Sequence, residues 1–226
     1  GLAKLEYKPE GYNFWTWRDR KIHYVVEGEG SAVVLIHGFG ASAFHWRYNI
    51  PELSKRYKVY ALDLLGFGWS EKALIEYDVA VWRDQVVDFV NEIVKQPAVL
   101  VGNRQVLVVN SFFFLGGVTA LVSAVSLRDR VKGVVLLNSA GQFSDSTTAT
   151  TAEPVEGNAL QKFVFDPLKE LFQRVVLGFL FWQAKQPARV RSVLKSVYIN
   201  SVNVDDYLIE SITRPAADPE AGEVYF

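Results

Sequence analysis

The sequence predicts an α/β fold: a mostly parallel sheet with helices on both faces, followed by a helical cap. Three observations predict it. Short buried-strand runs alternate with helical stretches from residue 32 to residue 137, the pattern of strands joined by right-handed crossovers. Glycine-containing turns follow those strands at His37 to Gly40, Asp63 to Gly68 and Gly102, where ligands of such sheets collect. Beyond Gly141 no convincing strand remains; a Ser/Thr-rich linker at 144–151 leads into helical text from Asn158 onward. The chain therefore divides into a core at 1–141 and a linker plus cap at 142–226.

Composition narrows the classes. Half of the 226 residues are apolar, enough for a sizeable core. Basic and acidic residues number 24 and 25, a balance without the basic footprint of a nucleic-acid binder. The absence of cysteine excludes disulfides, thiolate metal sites and cysteine nucleophiles, and nothing in the sequence calls for a metal or a cofactor. The chain contains no methionine, position 1 included, so a processed or trimmed chain is expected, with any targeting segment out of view. Val175 to Trp182 is far shorter than the roughly 20 residues that span a bilayer, so no transmembrane helix is predicted.

Taken in order, Asn13–Trp17 and Lys21–Glu27 are β-prone runs around the charged turn Arg18, Asp19, Arg20 and form a hairpin. Ala32–Ile36 is a short buried strand ending in the His37 to Gly40 turn. A helix interrupted at Pro51 is expected over Phe44–Tyr57, then a strand at Lys58–Leu62 running into Asp63. Val79–Lys95 places Trp82, Val86, Phe89, Val90, Ile93 and Val94 on one stripe, with Asp78 as cap and Pro97 as stop. Ala98–Val101 is a strand, Leu115–Ser126 a helix of small residues, and Val131–Leu137 a strand. In the cap, residues from Leu160 to Val176 form a broad apolar face, and helices are expected at Ala188–Ile199 and Val204–Ile212. Packing onto the core is the ordinary reading of that face. The functional one is a greasy lid, suited to a long hydrocarbon substrate or to transient contact with a membrane surface.

The chemistry centres on 98–117, AVLVGNRQVLVVNSFFFLGG. Without residues 104–114, and with one serine restored, it would read Gly-Asn-Ser-Leu-Gly-Gly, a Gly-x-Ser-x-Gly nucleophile elbow. As written, the serine position holds Arg104 counted forward and Phe114 counted backward. Ser111 is the one hydroxyl in between and the candidate for a displaced nucleophile, but Val109 and Phe113 stand where the elbow needs glycines. The triad order of this elbow is Ser, Asp or Glu, then His, yet His23, His37 and His45 all precede it. His37, Gly38, Phe39 and Gly40 suit an oxyanion turn, with the Phe39 N–H aimed at developing charge. Asp145 could orient a base but reads better as a solvated linker residue, and Asp63 reads better as a turn-maker.

The motifs LIHGFGAS at 35–42, HWRYNI at 45–50, YALDLLGFGWS at 60–70, LVGN at 100–103 with LGG at 115–117, and VVLLNSAG at 134–141 resemble plant and cyanobacterial α/β-hydrolases. Within these the chain is most similar to the group containing pheophytinase and chlorophyll dephytylase, and VLKSVYINSVNVDDYLIESITRPA at 193–216 resembles that group's cap. The resemblance implies an α/β-hydrolase core, a plastid location, a serine triad and cleavage of hydrophobic esters such as the phytyl ester of chlorophyll-type pigments. It assigns one oxyanion N–H to Phe39, supported by His37, Gly38 and Gly40, and the other to Leu115. It also implies that the family's later strands, which carry the acid and histidine, are missing after Phe226, leaving an exposed sheet edge. The stretch 104–114 is then a retained intron or gene-model error, the favoured origin, or a real insertion in a diverged member. The chain as written is expected to be inactive as an esterase; the alternative is a pseudo-enzyme that binds a pigment or protein partner through its cap.

Overall fold

The computed structural model describes residues 3–103, 115–137, 185–197 and 201–221. The stretch 104–114 with Ser111, the linker with Asp145 and the apolar face at 160–182 lie outside them. Six strands form one sheet in the order β1-β2-β4-β3-β5-β6: β1 Asn13–Trp17, β2 Arg20–Glu27, β3 Ala32–Ile36, β4 Lys58–Leu62, β5 Ala98–Asn103 and β6 Val131–Leu137. The first two strands are antiparallel to their neighbours, and β4, β3, β5 and β6 run parallel. The predicted mostly parallel α/β architecture is therefore the observed one, with an antiparallel hairpin at one edge.

The hairpin closes through Arg18 and Asp19, both with positive φ (49° and 61°), the twist a two-residue turn between right-twisted strands requires. It is fastened to helix α2, Val79–Phe89, by Trp17 Nε1 donating to Asp88 (2.7 Å), and to the turn that follows α2 by Trp15 Nε1 donating to Glu92 (3.0 Å). Asp78 caps α2 by accepting from Val81 N–H at 2.8 Å. The amphipathic stripe then continues through a π-helical turn, Val90–Val94, before Lys95 ends it in a left-handed conformation.

Strand β3 is buried along its whole length and divides the core. Val34 and Ile36 face one cluster with Leu62, Trp82, Val86, Phe89 and Leu100, under α2 and α3, Leu115–Leu127. Val33 and Leu35 face a second with Phe44, Trp46 and Ile50, closed by Val190 and Leu194 of α4, Pro187–Val197, and by Leu208 and Ile209 of α5, Asp206–Thr213. The alternation of side chains across the pleat buries both faces, which is why β3 reads as an uninterrupted apolar run. The described part of the cap thus completes the core rather than standing apart from it.

One expectation is corrected. The helix expected over Phe44–Tyr57 is a tight 3-10 turn, Ala43–Trp46, followed by the short helix α1, Asn49–Leu53. Its buried residues are Ala43, Phe44, Trp46 and Ile50, a spacing that serves a chain folded back on the sheet rather than one helical stripe. Pro51 is accommodated because α1 begins two residues earlier, where a missing N–H leaves no bond unmade.

At the top of the sheet β5 and α3 meet with almost no separation. A Cβ at Gly102 would stand 2.5 Å from Gly116 O; one at Gly116 would stand 2.5 Å from both Asn103 O and His37 O. Glycine is obligatory at both positions because backbone fills the space. By contrast, a Cβ at Gly133 in β6 meets nothing within 4 Å. Gly116→Ala is expected to cost about 2 kcal/mol and to lower Tm by about 6 °C. Gly133→Ala should be neutral or slightly stabilising through the unfolded chain. Thermal denaturation of the two variants checks both, and equal effects would show that the abutment carries no constraint.

Candidate active site

The strand ends that the sequence singled out converge. The turn after β3 begins at His37, which is fully buried. Its Nε2 accepts from Leu64 N–H at 3.0 Å, so the ring proton sits on Nδ1 and is donated to Gly38 O at 2.7 Å. That choice of tautomer has a geometric effect. Gly38 C=O and Phe39 N–H belong to one planar peptide and point in opposite directions. Fixing the carbonyl on the imidazole therefore sets the direction of the Phe39 N–H. The turn is closed by Ala41 N–H donating to Gly38 O at 3.2 Å, with Gly40 at φ 69°, and the half-buried Phe39 ring rests edge-on against Phe67 at 5.2 Å.

His37 O, Asn103 O and Gly116 form one junction, so the turn carrying Phe39 and the helix beginning at Leu115 flank the same point. Both expected oxyanion residues are brought to the C-terminal ends of β3 and β5. The roles of His37, Gly38 and Gly40 in shaping that turn are visible as hydrogen bonds and conformation; the candidate nucleophile Ser111 falls outside the described residues.

Asp63, at the end of β4, gathers the surrounding loops. Its carboxylate is fully buried and accepts from His23 Nδ1 (2.8 Å), from Trp69 N–H (2.8 Å) and from Ala43 N–H. Burial pushes this carboxyl up, but the His23 ring, His37 and the Ala43 N–H outweigh it and the net direction is down. Its main-chain oxygen accepts from Ser70 Oγ and from Gln85 Nε2, and Gln85 Oε1 takes the Leu65 N–H. A carboxylate so completely satisfied is a structural anchor, the turn-maker the sequence suggested.

The His23–Asp63 contact has the form of an acid–base pair, yet it cannot act as one. His23 Nε2 accepts from Tyr12 N–H at 2.9 Å, so neither ring nitrogen is available. His37 is occupied on both nitrogens as well, and burial pushes its pKa down. Burial, Arg47 and His37 push His45, in the 3-10 turn, down to about 4, which makes it a weak base at neutral pH. All three histidines of the chain are thus tied into the fold, His23 and His37 through both ring nitrogens and His45 by burial that lowers its basicity.

Sequence reading missed three buried groups here: Gln85, whose amide is consumed by the β4 loop; Lys72; and Arg47, held between the Phe44 and Tyr48 rings with its guanidinium donating to Asn203 O. No motif spacing announces them, although a Gln on the buried stripe of an amphipathic helix is itself a signal that a backbone group needs a partner. Among the described residues no cluster of three His, Cys, Asp or Glu could hold a metal, and no helix is long and apolar enough to cross a membrane.

The depressed histidines make a pH prediction. Below its ordinary value of 6.5 an unfolded His45 takes up a proton, while the folded one does not until about 4. Protons therefore favour the unfolded chain across that window, and stability should fall from pH 6.5 to pH 4 by about 3 kcal/mol on this account. Urea denaturation at several pH values checks it; the slope should flatten in His45→Gln, and an unchanged slope would assign the effect elsewhere.

Comparison with known proteins places this geometry. Residues 33–218 match the model of an alpha/beta hydrolase family. The chain is similar to chloroplastic pheophytinase of Arabidopsis thaliana, 28% identical over 89% of this chain and 47% of that protein, so it spans about half of that relative's length. It is also similar to a pimeloyl-[acyl-carrier protein] methyl ester esterase of Aliivibrio salmonicida, 27% identical over 88% of this chain and 66% of that protein. Among solved structures, the meta-cleavage product hydrolase of Pseudomonas fluorescens IP01 superposes with a TM-score of 0.66 at 25% identity, covering 97% of this chain and 70% of that one. The strand order, the glycine abutment under the β3 turn and the family match agree: the chain belongs to the alpha/beta hydrolase family.

Proposed function

We propose that the chain derives from a serine carboxylic-ester hydrolase acting on hydrophobic esters, of which the phytyl ester of a chlorophyll-type pigment is the favoured example, and that these 226 residues do not by themselves turn such a molecule over. The observation that carries the proposal is the contrast at the junction of β5 and α3. Gly102 and Gly116 abut backbone to backbone beside a His37 that fixes the Gly38–Phe39 peptide, a scaffold suited to a nucleophile elbow and an oxyanion turn. Yet eleven residues stand where one serine belongs, and the histidines available are either hydrogen-bonded through both nitrogens or made weak bases by burial. Likeness to pheophytinase over most of the chain supports the pigment ester and a plastid location, and likeness to a methyl ester esterase supports the bond type.

In the complete reaction a serine hydroxyl attacks the ester carbonyl. Phe39 and Leu115 N–H groups hold the resulting oxyanion, a histidine passes the serine proton to the departing alcohol, and water then cleaves the acyl-serine to release the acid and restore the hydroxyl. His37 serves this by fixing the peptide that carries the Phe39 N–H. A non-catalytic binding role is the second reading, favoured by the occupied histidine rings; hydrophobic contact through the cap, with a pigment, a protein partner or a membrane surface, is then what remains of the function.

Labelling by a serine-directed fluorophosphonate and hydrolysis of a p-nitrophenyl ester should both be absent. A pheophytin-type pigment should quench tryptophan fluorescence on binding. Robust labelling that disappears in Ser111→Ala overturns the loss of turnover, and soluble protein that ignores the pigment overturns the binding role. Replacing residues 104–114 by one serine should leave Tm unchanged or raised, because the glycine abutment does not depend on them; a mature transcript encoding all eleven would rule out a gene-model error.

A further inference from the structure

Lys72 belongs to none of the motifs, yet it is 6% exposed and lines a cavity of about 20 Å³ beside the oxyanion turn. Gly40 and Ala41 form one wall of that cavity, Gly66 to Gly68 and Lys72 another, and residues from Ser211 to Ala221 the third. The Lys72 ammonium donates to Gly68 O and, at 2.6 Å, to Ser70 O. Gly68 C=O shares a peptide with Trp69 N–H, and that N–H donates to Asp63 Oδ2 at 2.8 Å. A trans peptide directs its oxygen and its hydrogen to opposite sides. One peptide therefore lies between a buried cation at its oxygen and a buried anion at its nitrogen, with its dipole aligned to both charges.

We infer that Lys72 is a positioning residue of the candidate site, paired with Asp63 through the Gly68–Trp69 peptide, and that this charge pair fixes the wall facing the oxyanion turn. The meaning for catalysis or binding rests on the reading of the Phe39 turn given above; the pairing does not. Two buried charges of opposite sign need each other, since either alone would be left uncompensated in a low-dielectric interior. Hydrogen bonds at both ends of one peptide also polarise it and strengthen each other. The same carboxylate holds the Ala43 N–H, so the pair reaches the end of the oxyanion turn as well. Gly68 leaves no slack in the arrangement: its φ is +52° and an added Cβ would stand 2.1 Å from Asp63 Oδ2.

The groups that act on the two charges are few. Asp63 and the exposed Asp218, in the segment after α5, favour the Lys72 ammonium, and His23 and His37 face Asp63. Burial nonetheless pushes Lys72 below the usual lysine value. Its deprotonation should therefore be felt along the peptide as a weaker Trp69 N–H bond to Asp63.

Two measurements on the full chain test the pairing. In a double-mutant cycle, Lys72→Met and Asp63→Asn should each lower the urea midpoint. The double variant should lose less than the sum by at least half of the smaller single loss, whereas Lys55→Met, an exposed control, should change nothing. In the unaltered protein the Trp69 and Ala43 amide proton shifts should titrate together with a midpoint below the ordinary lysine value of 10.5, and that titration should vanish in Lys72→Met. Additive losses overturn the pairing, as does a titration that survives in Lys72→Met. If the variants do not fold, the unaltered protein decides alone: amides that stay silent through the alkaline range overturn it. Neither measurement uses an ester or a pigment, so failure of the proposed function would leave this result standing and the reverse also holds.

Discussion

A single buried carboxylate orders the top of this sheet. Asp63 stands where β4 ends and accepts hydrogen bonds from three different parts of the chain: His23 on β2, Ala43 beyond the β3 turn and Trp69 in its own loop. An isolated carboxylate in such a place would be strongly disfavoured, so each donor is a condition for the others. This explains why three loops distant in sequence share one geometry. It also explains the glycine at 68, which leaves room for the carboxylate itself.

The site inherits its precision from the two-faced sheet beneath it. Strand β3 is clamped between β4 and β5 and covered on both sides, so the backbone at His37 emerges from the least deformable part of the molecule. The opposite edge is different in character. Strand β6 pairs with β5 along one side, and Val135, Leu136 and Leu137 remain exposed among the described residues. Burial thus falls off from β3 toward β6, and the His37 to Gly40 turn lies at the buried end.

Much of this was legible in the amino-acid sequence because strand ends are marked by residues with few conformational alternatives. Ala32–Ile36, Lys58–Leu62 and Val131–Leu137 are strands with the expected bounds, since an apolar run flanked by glycine or charge leaves little choice. The hairpin turn was legible from the charged Arg18 and Asp19 between two β-prone runs. The stretch 44–57 was not, because apolar residues at uneven spacing can be buried by a 3-10 turn as well as by a helix, and only the packing on Val33 and Leu35 decides. The side-chain network was hidden for a related reason. Gln85 and Arg47 bond to backbone atoms remote in sequence and Lys72 to carbonyls of its own loop, and a backbone atom has no residue identity for a motif to record.

The contact between Gly102 and Gly116 bears on what the fold tolerates. It brings β5 and α3 together backbone to backbone, so Asn103 and Leu115 stand close to each other although eleven residues separate them in the chain. The entropy of closing such a loop grows only with the logarithm of its length. A stretch of eleven residues in place of one therefore taxes the sheet very little. The same abutment makes this position a natural mounting point: a segment of another length and composition could be grafted between Asn103 and Leu115 without altering the backbone contact that joins strand to helix.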